Sequence, residues 1–252
     1  MSIAPAEVDA QNRPTLPHPN SPDPHSLSLA DLRRRQREQL ETRFDLLDET
    51  HTVAGRAYAF TRVADPEQVL DDVIAAEGRG EKGRMPYWAE LWESALGIGE
   101  WLHNHSATVA DRQVLDLGCG MGFAGMIAAS LGGRVTFVDI EPDSLRFAEF
   151  NTLQWRDRVN VQRLDWQSDR LTTKFDLIIG ADVLYERAQW DALEPFWLHH
   201  LAPGGTVLLG EPSRQTGESF PEWIKSCGWK IAIDQVRLEE RSKTIRLFML
   251  RR

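Results

Sequence analysis

One stretch constrains this chain more than any other: Val114-Leu-Asp-Leu-Gly-Cys-Gly-Met-Gly-Phe-Ala-Gly125, an apolar run that ends in a carboxylate and gives way to glycines at alternate positions. Residues 118, 120 and 122 carry no Cβ, so the main chain can turn sharply and let a ligand lie directly on it. A helix-like pattern follows over residues 123–131, and its free N–H groups would point back at that ligand. Strand, bare turn and helix in this order predict a nucleotide-type cofactor loop within an α/β sheet.

Gly120-Met-Gly122-Phe-Ala-Gly125 fits the dinucleotide spacing G-x-G-x-x-G, although glycines so spaced also recur in unrelated turns. The carboxylate just before the first glycine discriminates better. Asp116 would repel a pyrophosphate and suits a ligand with a cationic end and no phosphate. S-adenosylmethionine (SAM) has that character, with a sulfonium, an α-amino group and an adenosine. Asp139 closes a second strand-like run, 135–138, about twenty residues after the glycines, where ribose hydroxyls are met in either kind of site. SAM is the expected cofactor and NAD the alternative.

Strand and helix patterns alternate beyond the loop. Strands are expected over 159–164, 175–180 and 206–210, and helices over 142–155, 190–201 and 220–227. Two closing strands, 230–238 and 244–251, have no helix between them and read as a hairpin. The expected fold class is α/β, a Rossmann-like doubly wound seven-stranded mixed sheet with a C-terminal antiparallel hairpin. Ahead of it, residues 1–26 hold Pro5, Pro14, Pro17, Pro19, Pro22 and Pro24 and read as a disordered or extended tail. Residues 27–84 read as an extension. It comprises a capping box at Ser28-Leu-Ala-Asp31 before an arginine-rich helix to about 47, a hairpin turning at Ala54-Gly55, a helix over 66–76 and a mobile glycine-rich link over 78–83. The basic helix is either a solvated face or a docking arm for an acidic partner. Residues 85–252 form the expected cofactor domain.

A net charge of −9 argues against nucleic acid as the main partner. The two cysteines, Cys119 and Cys227, make no disulfide framework, no stretch is long and apolar enough to span a bilayer, and the start does not read as a secretory signal. Cytoplasm is the expected location. His103 with His105 and His199 with His200 lack the spacing of a metal-binding helix, and no metal is expected.

Ligands of open α/β sheets bind beyond the carboxyl ends of the strands. Asp116, Gly118 to Gly122, Asp139, Asp165-Trp166 and Ala181-Asp182 all fall at such ends. On this reading Asp116 holds the ammonium of the methionine end, directly or through water, and Asp139 takes the ribose diol. Asp165 accepts from the adenine amino group while Trp166 borders the ring. Tyr87, Trp88, Trp92 and Trp101 exceed what one helix needs for packing, and some of these rings are expected to wall the channel, since aromatic faces favour sulfonium and ammonium groups.

Pro86-Tyr-Trp-Ala-x-x-Trp92, Val114-Leu-Asp-Leu-Gly-Cys-Gly-x-Gly122, Asp165-Trp166 and Gly180-Ala-Asp-Val-Leu-Tyr185 together resemble the seven-β-strand protein lysine methyltransferases, and within them the branch acting on the electron-transfer flavoprotein β subunit. The resemblance covers roughly residues 85–210. It implies SAM contacts from Trp92, Gly118, Cys119, Gly120, Asp139, Trp166 and Ala181, with Asp182 and Tyr185 on the substrate side and a protein bearing the target lysine as partner. Methyl transfer moves positive charge from sulfur to nitrogen, so Asp182 is expected to orient the amine and stabilise its charge, and Tyr185 to shape the channel. The proton acceptor is either Asp182 or water. A small-molecule amine, or another protein side chain, is the alternative substrate.

Overall fold

The computed structural model describes residues 27–81, 83–238 and 241–252. The expected tail, 1–26, lies outside them. Helix α1 (Leu29–Glu41) starts where the capping box puts it: the Ser28 hydroxyl accepts the Asp31 N–H and donates to the Asp31 carboxylate at 2.6 Å. It ends at Glu41, short of the expected 47, because Phe44 turns inward onto Trp88 and Phe147 and the chain is already extended at Leu46. Its arginines are largely engaged within the chain. Arg37 pairs with Glu41 and Asp48, Arg34 with Asp31, and Arg33 lies over the Phe150 ring.

Strands β1 (Leu46–Val53) and β2 (Arg56–Val63) form the expected hairpin. Ala54 and Gly55 both take positive φ, 48° and 75°, which a two-residue turn matching the strand twist requires. The hairpin begins earlier than Thr50, and Arg62 and Val63 continue its second strand. Helix α2 (Pro66–Gly78) follows, with proline in its first turn and Asp65 accepting the Glu67 and Gln68 amides.

The central sheet is built from β3 (Gln113–Leu117), β4 (Arg134–Asp139), β5 (Val159–Arg163), β6 (Phe175–Ala181), β7 (Leu201–Glu211), β8 (Lys230–Leu238) and β9 (Lys243–Arg251). Their spatial order is β5-β4-β3-β6-β7-β9-β8, parallel through β7, with β9 and β8 antiparallel at the edge. It is the expected doubly wound mixed sheet. β7 starts at Leu201, ahead of the expected 206. Pro203-Gly-Gly205 is absorbed as an irregularity within the strand, where the pairing with β6 shifts register. Helices α3 (Glu93–Asn104), α4 (Phe123–Ser130) and α5 (Pro142–Thr152) pack into one apolar layer. Helix α6 (Trp190–His200), the single turn α7 (Gln215–Glu218) and α8 (Phe220–Ser226) follow, with Trp190, Trp197 and Phe220 at the heart of the opposite layer. Helix α5 gives way to tighter 3₁₀ turns over Leu153–Arg158 instead of running on to 155. The order reverses beside β3, which neighbours β4 on one side and β6 on the other; a crevice therefore opens at its carboxyl end.

The hairpin joins the α3–α4–α5 layer. Val53, Tyr58, Phe60 and Val63 are buried there, and Phe60 meets Phe123 edge-on at 5.1 Å. Asn151 on α5 secures it: its carboxamide accepts the Thr61 N–H and donates to the Thr61 carbonyl, each at 2.9 Å, and donates to Met121 O at 3.1 Å in the glycine loop. Replacing Asn151 with Ala leaves both buried backbone groups of Thr61 without their partner. A loss of about 2–4 kcal/mol is expected, read as a lower urea midpoint at unchanged slope.

Candidate functional site

The glycine loop is folded by its own backbone. Gly118 and Cys119 donate their N–H groups to Val138 O at 2.9 and 3.1 Å, bending the chain back onto the end of β4. Gly118 has φ 64°, and a Cβ there would lie 3.2 Å from both Trp166 and Val183. Gly120 donates to Asp139 Oδ2 at 2.9 Å, while Asp139 Oδ1 accepts the Glu141 amide at 3.0 Å. Burial pushes the Asp139 carboxyl up, and these amides oppose it.

Above this loop lies a cavity of about 620 Å³. Gly118, Cys119, Gly120 and Asp139 line one part of it, and Trp92, Trp166, Ala181, Asp182 and Tyr185 line the rest. Trp166 turns its ring onto Gly118, and its buried indole N–H has no acceptor among the described residues. Tyr87 meets Tyr185 at 5.3 Å and Trp92 at 6.4 Å, and the Trp92 indole donates to Tyr87 O at 2.8 Å. Trp88 also reaches the cavity. Trp101 does not: it is buried in the core, stacked on His105 at 4.0 Å.

Two expected contacts are corrected. Asp116 does not reach the cavity; it is 1% exposed beneath the loop, and its Oδ2 accepts the Gly125 N–H at 2.8 Å in the first turn of α4. Its carboxylate holds the helix start, and from beneath the loop it makes no direct contact with a ligand in the cavity. Asp165 is likewise absent from the cavity wall. Its carboxylate accepts the Gln167 amide at 2.9 Å and shapes the turn after β5. Among the described residues no group of three or more His, Cys, Asp or Glu side chains could hold a metal ion, and His200 is buried with both ring nitrogens on backbone partners.

Asp182 is built with particular care. It takes φ 58°, is 7% exposed, and donates its N–H to Gly210 O at 2.9 Å. Its carboxylate meets the Arg214 guanidinium edge to edge, Nε to Oδ1 at 3.0 Å and Nη2 to Oδ2 at 2.9 Å. Arg214 lies over Trp92, 5.2 Å from the ring centre. Sequence reasoning gave Arg214 no role in the site, although the Glu211-Pro-Ser-Arg214 turn that carries it follows a strand end and would face a protein substrate. It also missed Phe60, Arg84 and Met85, which the hairpin and the link bring to the wall. Arg84 is 3.7 Å from Glu141, so both cations on the wall face carboxylates. Bare backbone, aromatic faces and cations that face carboxylates fit a cationic adenosyl ligand.

Burial pushes the Asp116 carboxyl up to about 7, against the opposing Gly125 N–H and with the neighbouring Asp139 adding to it. The folded protein therefore holds this proton more tightly than the unfolded chain. The stabilisation is complete below the ordinary carboxylate range and is lost as pH rises through about 7. Between the ordinary carboxylate range and about 7 this group makes stability fall as pH rises. In urea titrations across that range, Asp116→Asn is expected to remove this slope.

A profile for a family described as lysine methyltransferase matches residues 81–226. The electron transfer flavoprotein beta subunit lysine methyltransferase of Danio rerio is 35% identical over 137 residues, 51% of this chain and 51% of its own length. Protein N-lysine methyltransferase METTL21A of Danio rerio is 34% identical over 134 residues, 50% of this chain and 61% of its own. The EEF1A lysine methyltransferase 3 of Mus musculus is 29% identical over 136 residues, 52% and 58%. The matches thus span between 51% and 61% of these relatives. Among solved structures, the glycopeptide N-methyltransferase MtfA complexed with SAM aligns with a TM-score of 0.52 at 15% identity, covering 61% of this chain and 86% of that one. The N-methyltransferase NodS from Bradyrhizobium japonicum gives 0.52 at 20% identity, covering 61% and 93%; at such identities the likeness is one of fold. With more than half of its length matched, from the link before Trp92 through Arg214 to the end of α8, the chain belongs to the lysine methyltransferase family.

Proposed function

We propose that this protein transfers a methyl group from SAM to a lysine side chain of a protein substrate. One observation carries the reading. A single cavity runs from the glycine loop and Asp139 to Asp182 and Tyr185, and both of its cationic side chains face carboxylates. SAM supplies an electrophilic sulfonium methyl when bound. Gly118, Cys119 and Gly120 offer bare or near-bare backbone for the cofactor, Asp139 a carboxylate for the ribose, and Trp92, Trp166 and Ala181 the walls.

The amine end is the work of Asp182 and Tyr185. A lysine enters from a reference pKa near 10.4 and gives up a proton, to Asp182 or to water, before the neutral amine attacks. Asp182 orients the amine and balances the positive charge that grows on nitrogen as the bond forms. Burial pushes the Tyr185 phenol up, so it remains a protonated hydrogen-bond donor throughout the neutral range. Tyr87 and Met85 are 43% and 51% exposed at the mouth and give a protein surface an apolar place to rest. Among the described residues no helix is long and apolar enough to cross a membrane. The two unpaired cysteines suit a reducing compartment, and we assign the protein to the cytoplasm. The relatives described above are named for protein substrates, EEF1A and the electron transfer flavoprotein beta subunit among them, which favours a protein over a small amine.

Labelled SAM added with the enzyme to a cell lysate is expected to mark a discrete protein band at lysine. Label confined to small molecules would replace the protein substrate with a free amine. Replacing Asp182 with Ala is expected to abolish the labelling while SAM affinity, measured by calorimetry, stays within a few-fold. Loss of SAM binding instead would move Asp182 to the cofactor side.

A further inference from the structure

Three charged residues outside the expected set are arranged as a mount for Asp182. Glu211, at the end of β7, is 1% exposed, and Gly217 leaves it room: a Cβ there would stand 2.7 Å from the Glu211 carboxyl carbon. Arg246 from β9 sends Nε and Nη2 to Glu211 Oε2 at 2.9 and 2.7 Å. The other carboxylate oxygen accepts the backbone N–H of Arg214, and Arg246 Nη2 also donates to Arg214 O at 3.3 Å. The Glu211–Arg246 pair therefore grips the Arg214 residue by both its N–H and its C=O. Held there, and lying over Trp92, the guanidinium presents its planar fork to Asp182. Neither Glu211 nor Arg246 lines the cavity.

A buried ion pair contributes little net stability, whereas its directional hydrogen bonds fix geometry. Asp182 sits on left-handed backbone just past the carboxyl end of β6, and both of its carboxylate oxygens take hydrogen bonds from Arg214. A bidentate arginine sets the carboxylate plane, which a lysine's point charge would not. The neighbouring carboxylate also raises the Arg214 pKa, first through their hydrogen bonds, so the clamp stays charged.

We propose that Arg214 is a positioning residue for methyl transfer, mounted by Glu211 and Arg246, which orients the Asp182 carboxylate toward the incoming amine. The proposal rests on the lysine-methylation reading and extends it to Arg214 on the cavity wall and to Glu211 and Arg246 behind it. Arg214 acts through Asp182 and need not touch either reactant.

The expected result for Arg214→Lys, which keeps the charge and loses the fork, is a fall in kcat of about 100-fold with the KM for SAM unchanged, since small misplacements at a reacting centre have effects of that order. Arg214→Ala is expected to fall as far and to be partly rescued by added guanidinium at sub-denaturing concentration, whereas Asp182→Ala is not rescued. Wild-type turnover in both variants would overturn the proposal. So would a raised kcat/KM for the lysine substrate, which would make Arg214 a competitor for Asp182. A second arm needs no substrate. In ¹⁵N-labelled full-length protein, the Arg214 Nε–H cross-peak, assigned by its loss in Arg214→Lys, is expected to shift in Asp182→Asn and in Glu211→Gln while SAM affinity is retained. No shift in Glu211→Gln would overturn the mount. Coupled shifts without any lysine labelling would instead retain the mount and defeat the methylation reading.

Discussion

The site depends on one carbonyl. Val138 O, at the end of β4, accepts both the Gly118 and the Cys119 N–H groups, so the turn leaving β3 is folded over the neighbouring strand. That bend brings Gly120 to Asp139 and starts α4 directly above Asp116. Two strand ends and the start of α4 are thereby fixed relative to one another before any ligand arrives. Two carboxylates are consumed in the process, one wholly beneath the loop and one partly at its rim. The buried acid is a cost in stability that the fold tolerates to hold a tight turn of nearly naked backbone.

The sheet was legible because its signals are local. Period-two apolar runs, a glycine turn after β3 and helix starts such as Pro142 each announce themselves within a few residues. Boundaries were less legible where a distant partner decides them. Phe44 ends α1 by packing on Trp88 and Phe147, and β7 extends back through Pro203-Gly-Gly205 because Leu201 pairs with Phe175. No sequence window contains either pair.

The same division runs through the site. Strand-end placement found the segments that meet at the cavity, since topology alone brings such ends together. It did not separate acids that face the cavity from acids that face the backbone: Asp116 and Asp165 stand at the right places in the chain and turn their oxygens to amides. Arg214 was given no role for the converse reason. An arginine in a loop reads as solvent-facing until its carboxylate partner, thirty-two residues earlier, is known. The arrangement that results sets a cavity wall made chiefly of backbone at the glycine loop beside one that carries the Asp182–Arg214 ion pair.

The clasp of Asn151 on Thr61 spans ninety positions of the chain. During synthesis the hairpin leaves the ribosome long before α5 exists, with Val53, Phe60 and Val63 facing water. Its docking must wait for the strand and helix that follow the glycine loop. The nascent protein therefore carries an uncovered, sticky β-ribbon through much of its translation, and the last step of assembling that layer also secures the loop through Met121. In the folded chain one carboxamide thus ties the earliest ribbon to the loop that follows β3.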